Sequence, residues 1–458
     1  MEDKRCIEVK ILHYRGFLNP TKDIFRNALK DLIIIIEANY DEMISLGLKA
    51  KDRNNYIEKL IHKTKENPKP KYEWFDKKYQ NMPSYFRRNV ATEALGKVSS
   101  YRKQLTNWEE NGKVEKPPNL ILNHSTFPTF YKGNTFINRL EENKCEIKLF
   151  NKNKGENGVW EYFTLDLRAT DCKRLLKVSK GENVKVSNPT LTRRGKCWYL
   201  KFLVTSKVEL VSIDETNEKI CSVDLGFNTL ATCTIMDSNG TIHKRKFIKN
   251  TLLIDRLTHT LNRIKKAQRL GAKRPKYLWA KAKYYNETLA TYCAKEIVAF
   301  AKENNATTIV LEYLDIKGKI KGKKMKQKIS LWRHRDINKK VERMAHRQGL
   351  HYSRVCAKNT SRLAYDGSGY VLRGYKVSND TPYDICKFTS GKIYNCDLNA
   401  SYNIGARYFI RKISSKLKSI DVSLWSLVEA NVPSLRARML CTLDTLIKIN
   451  ECLKTSCS

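Results

Sequence analysis

The chain has 458 residues, with 87 Lys and Arg against 47 Asp and Glu and a formal net charge of +40. Solubility needs a net charge of only about 2–8 in a small domain. The surplus therefore points to a polyanion, RNA or DNA or both, because Lys and Arg that neutralise phosphates release condensed counterions. No apolar run approaches the roughly 20 residues of a spanning helix. The densest one, Leu32 to Ile36, is flanked by Asp31 and Glu37, and the opening Glu2, Asp3, Lys4 and Arg5 do not form a signal peptide. Thirteen cysteines, an odd number without a framework, are expected to be reduced in a cytoplasmic protein held near DNA. A prior of roughly 150 residues per domain suggests about three domains.

In chain order, residues 6–13 alternate as a strand does. From about 20 to 110 the pattern turns helical. Asp23 to Met43 is apolar at helical intervals, Tyr85 to Trp108 is amphipathic and basic, and Pro68, Pro70, Pro117 and Pro118 punctuate the stretch. From about 120 to 217 the period shortens to two, as in Cys145 to Phe150, Trp160 to Leu165 and Cys197 to Val204. Short strands at such spacing predict a small β-barrel or sandwich. If the first strand joins it, the helical stretch is an insertion.

A different grammar starts near 218. Ile220 to Asp224 and Thr229 to Met236 read as paired strands, and a third ends near Phe247. Residues 252–304 are helical, with Leu253, Leu257, Leu261 and Ile264 on one face, and Arg274-Pro275 divides them into two helices. Thr307 to Leu311 is a buried strand that ends at Glu312. Lys317 to Lys328 holds seven lysines in twelve residues and reads as a solvated loop. A basic helix, Arg333 to Gln348, follows, then an irregular segment, then a helix opening at Asp397 with Ala400, Ile404 and Tyr408 on its inner face.

Three acids stand out. Asp224 ends a strand in Cys-Ser-Val-Asp-Leu-Gly-Phe-Asn-Thr-Leu-Ala-Thr, Glu312 ends one in Thr-Ile-Val-Leu-Glu-Tyr-Leu-Asp, and Asp397 opens Asp-Leu-Asn-Ala-Ser-Tyr-Asn-Ile. Taken singly, Asp224 fits a turn before Gly226, Glu312 a solvated strand end, and Asp397 an ordinary N-cap. Taken together they fit an RNase H-like plan, in which neighbouring strands and a final helix bring three carboxylates to one edge of the sheet. Such a cluster suits two Mg²⁺ ions, which need hard oxygen ligands and together serve phosphodiester hydrolysis.

Asp224 to Thr232, Leu311 to Leu314, Asn359 to Arg362 and Asp397 to Ile404 resemble the TnpB family of transposon-encoded, RNA-guided DNA endonucleases, relatives of the type V CRISPR effectors. The motifs span 220–408; the first half is similar only in layout. The resemblance implies an α/β chain with a RuvC-like, RNase H-like nuclease domain over 218–415. It also implies a wedge-like β-barrel over 1–19 and 120–217, a helical recognition lobe over 20–119, and a tail over 416–458. Asp224, Glu312 and Asp397 become the catalytic, Mg²⁺-binding acids, with a guide RNA and double-stranded target DNA as partners, no membrane, and a monomer expected. Asn228, Asn399 and Arg362 are candidates for support of the site.

One departure from the family is large. A four-cysteine zinc site is expected between Glu312 and Asp397, but its first pair is replaced by Ala364-Tyr365-Asp366-Gly367 and only Cys386 stands near the second. Cys356, Cys386 and Cys396 do not restore the spacing, and structural zinc needs four good ligands. The insertion over 351–396 is therefore expected to fold without zinc, on hydrophobic contacts and turns.

Aromatic–cation combinations suited to stacking and phosphate contact occur at Trp332-Arg333-His334-Arg335 and Tyr85-Phe86-Arg87-Arg88. Arg87, Arg88, Trp332, Arg333, Arg335 and Arg362 are thus candidate nucleic-acid contacts. A miniature CRISPR effector and a non-cutting RNA-guided repressor or transposition regulator are the alternatives.

Overall fold

A computed structural model describes every residue except 14–15, 114–115, 157, 227–228, 314–332 and 458. Asn228, Trp332 and the loop from Lys317 to Lys328 lie outside the described residues. The chain divides into two compact units, Glu2–Lys207 and Val208–Ser458 with Met1.

The first unit opens on β1 (Glu2–Lys10). Five helices follow: α1 (Leu18–Ala38), α2 (Tyr40–Ser45), α3 (Ala50–Ile61), α4 (Glu73–Lys78) and α5 (Ser84–Glu110). Then come β2 (Phe136–Arg139), β3 (Lys144–Asn151), β4 (Val159–Asp166), α6 (Ala169–Ser179), β5 (Val184–Val186), β6 (Thr190–Arg194) and β7 (Cys197–Lys207). β1 pairs antiparallel with β7 from Glu2↔Lys207 to Lys10↔Tyr199, so it begins earlier than its apolar alternation suggests. Pairing with a long partner recruits charged residues that carry no strand signal of their own. The apolar stretch Asp23 to Met43 is broken at Asn39. Its buried amide donates to Ile35 O at 2.6 Å and Tyr72 Oη at 2.9 Å, competing with the helical ladder. α6, inside a stretch read as strands, buries only Asp171, Cys172 and Leu175.

The second unit is built on β8 (Lys219–Asp224), β9 (Ala231–Asp237), β10 (Ile242–Ile248), β11 (Thr308–Tyr313) and β12 (His351–Cys356), in the spatial order β10-β9-β8-β11-β12. β8, β9 and β10 are antiparallel, whereas β11 lies parallel to both β8 and β12, giving the mixed sheet of an RNase H-like fold. α7 (Thr251–Arg269), α8 (Lys276–Glu303) and α9 (His334–Arg347) cover one face. α8 starts immediately after Pro275, since the residue before a proline is driven out of the helical region. β13 (Leu372–Arg373), β14 (Ile385–Lys387) and β15 (Ile393–Asn395) form a small sheet. α10 (Cys396–Ile420), α11 (Val422–Asn431) and α12 (Leu443–Cys457) cover the other face of the large sheet.

β12 falls in the segment read as irregular. Its sequence His-Tyr-Ser-Arg-Val-Cys buries only Val355, because an edge strand has one neighbour to satisfy. α10 is buried on every side from Leu398 to Ile410, not only along Ala400, Ile404 and Tyr408. The sheet takes one side and α12 the other. Gly405 permits the approach: a Cβ there would lie 2.9 Å from Met236 Sδ and 3.1 Å from Ser222 Oγ.

Candidate functional site

Strand alternation decides which way the acids face. In β8, Cys221 and Val223 join the core under α7–α9, while Ile220 joins the core under α10. Successive side chains point to opposite faces, so Asp224, two pairs on from Ile220, faces α10. In β11, Ile309 and Leu311 face α7–α9 and Val310 faces α10, which turns Glu312 to the same side. Leu311 pairs with Val223 across the parallel ladder, so the acids that follow them occupy neighbouring strand ends.

Asp397 enters from the first turn of α10. The cap of that helix is Asn395, whose Oδ1 accepts from the N–H of Asp397 and of Leu398, both at 3.0 Å. The Asp397 carboxylate is thereby left out of capping. Among the described residues no group of three or more His, Cys, Asp or Glu stands in an arrangement able to hold a metal ion. Asp224 is within electrostatic reach of both Glu312 and Asp397, without the three forming such a group.

Their electrostatics are consistent with crowding. Asp224 keeps partial solvent exposure but is densely surrounded, and its pKa is raised well above the usual carboxylate range by desolvation, then by Glu312 and Asp397. Glu312 is pushed up to about 7, chiefly by desolvation, against the Thr360 hydroxyl and the Arg407 guanidinium. Asp397 is raised by burial and Asp384, against Arg373 and Lys249.

Thr360 Oγ1 donates directly to Glu312 Oε1. The segment carrying it is held by a polar row on α10. Asn403 Nδ2 donates to Thr360 O and Leu363 O, both at 2.9 Å, and Asn399 Nδ2 donates to Leu363 O at 2.8 Å. Arg407, buried, donates to the carbonyls of Cys356, Lys358, Met439 and Cys441 at 2.7–3.0 Å. Asn399 is therefore a scaffold residue, one step removed from the acids. Thr360 lies within the Asn-Thr-Ser-Arg motif, whose hydroxyl was a readable signal. Arg373 had none: it sits on the two-residue strand β13, 4.9 Å from the Tyr383 ring, with a buried Nε that meets no hydrogen-bond partner among the described residues.

The position of the missing first cysteine pair is filled by packing. Ala364 is fully buried with Cys386, Phe388 and Cys396, and Tyr365 stacks edge-on against Phe388, Tyr394 and Tyr402. Tyr365 O accepts from Asp444 N of α12 at 2.9 Å. Gly367, at φ +76°, has Asp444 Oδ2 only 2.4 Å from where a Cβ would stand, so a cysteine there would need rebuilding of the contact.

The candidate nucleic-acid contacts separate. Arg87 is buried in the first unit, 3.7 Å from Glu58, and burial lowers its pKa; it is committed internally and offers nothing to a phosphate. Arg88 is exposed, 3.4 Å from Glu58 and 5.5 Å from the Tyr85 ring. Arg333 is paired with Asp336 and lies 3.5 Å from Glu287, whereas Arg335 and Arg362 are exposed. Arg362 is two residues along the chain from Thr360, which bonds Glu312.

Residues 5–151 match the Aq_aa04 family. A TnpB-like protein of Aquifex aeolicus, aq_aa05, is 25% identical over 253 residues, covering 50% of this chain and 80% of its own. The Cas12f1 chain of a Cas12f1–sgRNA–target DNA complex superposes with a TM-score of 0.51 at 18% identity, covering 84% of this chain and 80% of its own, a likeness of fold. With the mixed sheet and the four motifs, the chain is similar in sequence to a TnpB-like protein and in fold to Cas12f1.

Proposed function

We propose that the chain is an RNA-guided DNA endonuclease of a bacterial mobile element, cutting guide-matched DNA at one RuvC-like site made by Asp224, Glu312 and Asp397. The observation that carries the reading is the shared face: strand alternation turns Asp224 and Glu312 toward α10, where Asp397 begins. The donor chemistry fits Mg²⁺, since all three groups are carboxylates, hard oxygen donors that burial holds above their ordinary range, with Glu312 and Asp397 adding to the rise at Asp224. When bound, two such ions would activate water and stabilise the departing oxygen. The chain's own residues prepare the site: Thr360 orients Glu312, and Asn395 caps α10 so that Asp397 is free to face the other acids.

In this reading residues 1–19 and 120–217 act as a wedge, 20–119 as a recognition lobe and 218–415 as the nuclease, with 351–396 a zinc-free insertion. Protein contacts hold the guide RNA and heteroduplex by charge and shape, while base pairing reads sequence. The test is Mg²⁺-dependent cleavage of a plasmid matching the RNA that co-purifies, with Asp224→Ala as the inactive control. A second reading, a guide-directed binder that does not cut, is favoured by the carboxylates not forming a metal-holding group among the described residues. Target binding without cleavage by wild type would establish it. A repeat–spacer array beside the gene, in place of a transposon end, would mark a miniature CRISPR effector.

A further inference from the structure

A cavity of about 220 Å³ lies between the end of β12, the second half of α10, and the segment from α11 to Cys441. Arg354, Arg407, Arg411, Lys418 and Arg438 line it, against one carboxylate, Glu429. Arg407 is spent on backbone carbonyls and the Arg354 guanidinium lies 5.2 Å from the Tyr313 ring, which leaves Arg411, Lys418 and Arg438 to meet an anion. None of the five cations has an ion-pair partner among the described residues. A third of a turn around the same helix the pattern reverses: Lys412 Nζ is 2.8 Å from Glu218 and Lys416 Nζ is 2.6 Å from Glu215. α10 thus neutralises its lysines on one side and leaves the cavity side positive.

The cations are held in place by other means. Arg407 is fixed by four carbonyls, as above. Arg411 donates to Arg354 O at 2.9 Å and Ser353 Oγ at 2.7 Å, and Lys418 lies 5.0 Å from the Trp425 ring. Val355, Ile410, Trp425 and Leu435 supply apolar walls, which keep the local dielectric low and focus the positive field. The volume falls below the roughly 300–1,000 Å³ of small-molecule pockets. It suits a phosphate with its sugar better than a free-standing cofactor. Val355 pairs with Glu312 across the ladder and faces α10 as Glu312 does, so the cavity opens one strand over from the acids.

We propose that this cavity seats a backbone phosphate and its sugar from a strand of nucleic acid bound by the chain. The inference rests on the nucleic-acid reading above, but not on cleavage. Cys356 lines the cavity and is exposed, so it reports occupancy directly. The full chain, in EDTA, is alkylated with iodoacetamide with and without a saturating single-stranded oligodeoxynucleotide, and Cys356 modification is followed by mass spectrometry. Fluorescence anisotropy monitors binding on the same samples.

The expected result is slowed Cys356 alkylation by the oligonucleotide, no slowing by inorganic phosphate at equal phosphate concentration, and loss of protection in a Lys418→Glu, Arg438→Glu double variant. The variant should also lower the salt slope of binding by roughly 0.7 for each lost phosphate contact. Unchanged Cys356 reactivity while anisotropy reports saturation overturns the proposal and leaves the nucleic-acid reading standing. Full protection by inorganic phosphate overturns it in favour of a small-anion site. Absence of any oligonucleotide binding removes both readings together.

Discussion

Replacing Glu312 by Gln is expected to stabilise the metal-free protein while removing its activity. The Glu312 carboxyl moves from its ordinary 4.5 to about 7 in the fold. Between those values the native state holds a proton that the unfolded chain has released. Native stability therefore falls as pH rises from about 4.5 to about 7, and the loss is complete above that. At about 1.36 kcal/mol per pKa unit the loss is at most about 3 kcal/mol, since Glu312 keeps some exposure. Gln carries no charge at any pH and still accepts from Thr360, so Glu312→Gln escapes the loss. For a unit of this size each kcal/mol shifts the midpoint by about 2–4 °C. In EDTA at pH 8 the variant should melt up to about 6–12 °C higher than wild type, and the gap should close by about pH 4.5. Scanning calorimetry on both proteins across that range is the assay. A lower midpoint for the variant at pH 8, or a gap independent of pH, would refute the desolvation of Glu312 at its strand end, on which this reasoning rests.

Other outcomes follow from single contacts. Asn395→Ala should cost about 1 kcal/mol through the lost cap, whereas Asp397→Asn removes a carboxylate that burial disfavours and should raise rather than lower the midpoint at neutral pH while abolishing cleavage, which thermal melts and plasmid assays separate. Arg407→Met leaves four backbone carbonyls without a donor and is expected to cost at least about 3 kcal/mol, read as a lower unfolding midpoint. Gly405→Val drives a side chain into Met236 and Ser222 and should destabilise by about 1–3 kcal/mol or more, read in the same way. Elemental analysis of purified protein should find no stoichiometric zinc; one tightly held zinc per chain would sink the packing account of the insertion.

Local sequence carried a good deal. The apolar runs ending at Asp224 and Glu312 were readable as β8 and β11, and Arg274-Pro275 as the break before α8. Asp397 was readable at a helix start, but not the cap: Asn395 was as eligible, and only the helix geometry chose it. Arg87 looked like part of a cationic–aromatic surface because sequence does not state which face of α5 is buried. β12 was unreadable because an edge strand needs little apolar alternation, and its identity comes from the ladder it makes with β11.

By itself, then, the chain determined its large excess of positive charge, the strands and helix that bear the acids, and the absence of four spaced cysteines. Those are properties of composition and short-range period, which need no distant partner. Tertiary structure alone decided that α12 closes over α10 and props the segment where the first cysteine pair is missing, through Asp444 and Tyr365. It also decided that α10 leaves one flank positive and pairs the other. Both depend on groups tens to hundreds of residues apart reaching hydrogen-bond distance, backbone to backbone in the first case and side chain to side chain in the second, and no local pattern encodes such a meeting.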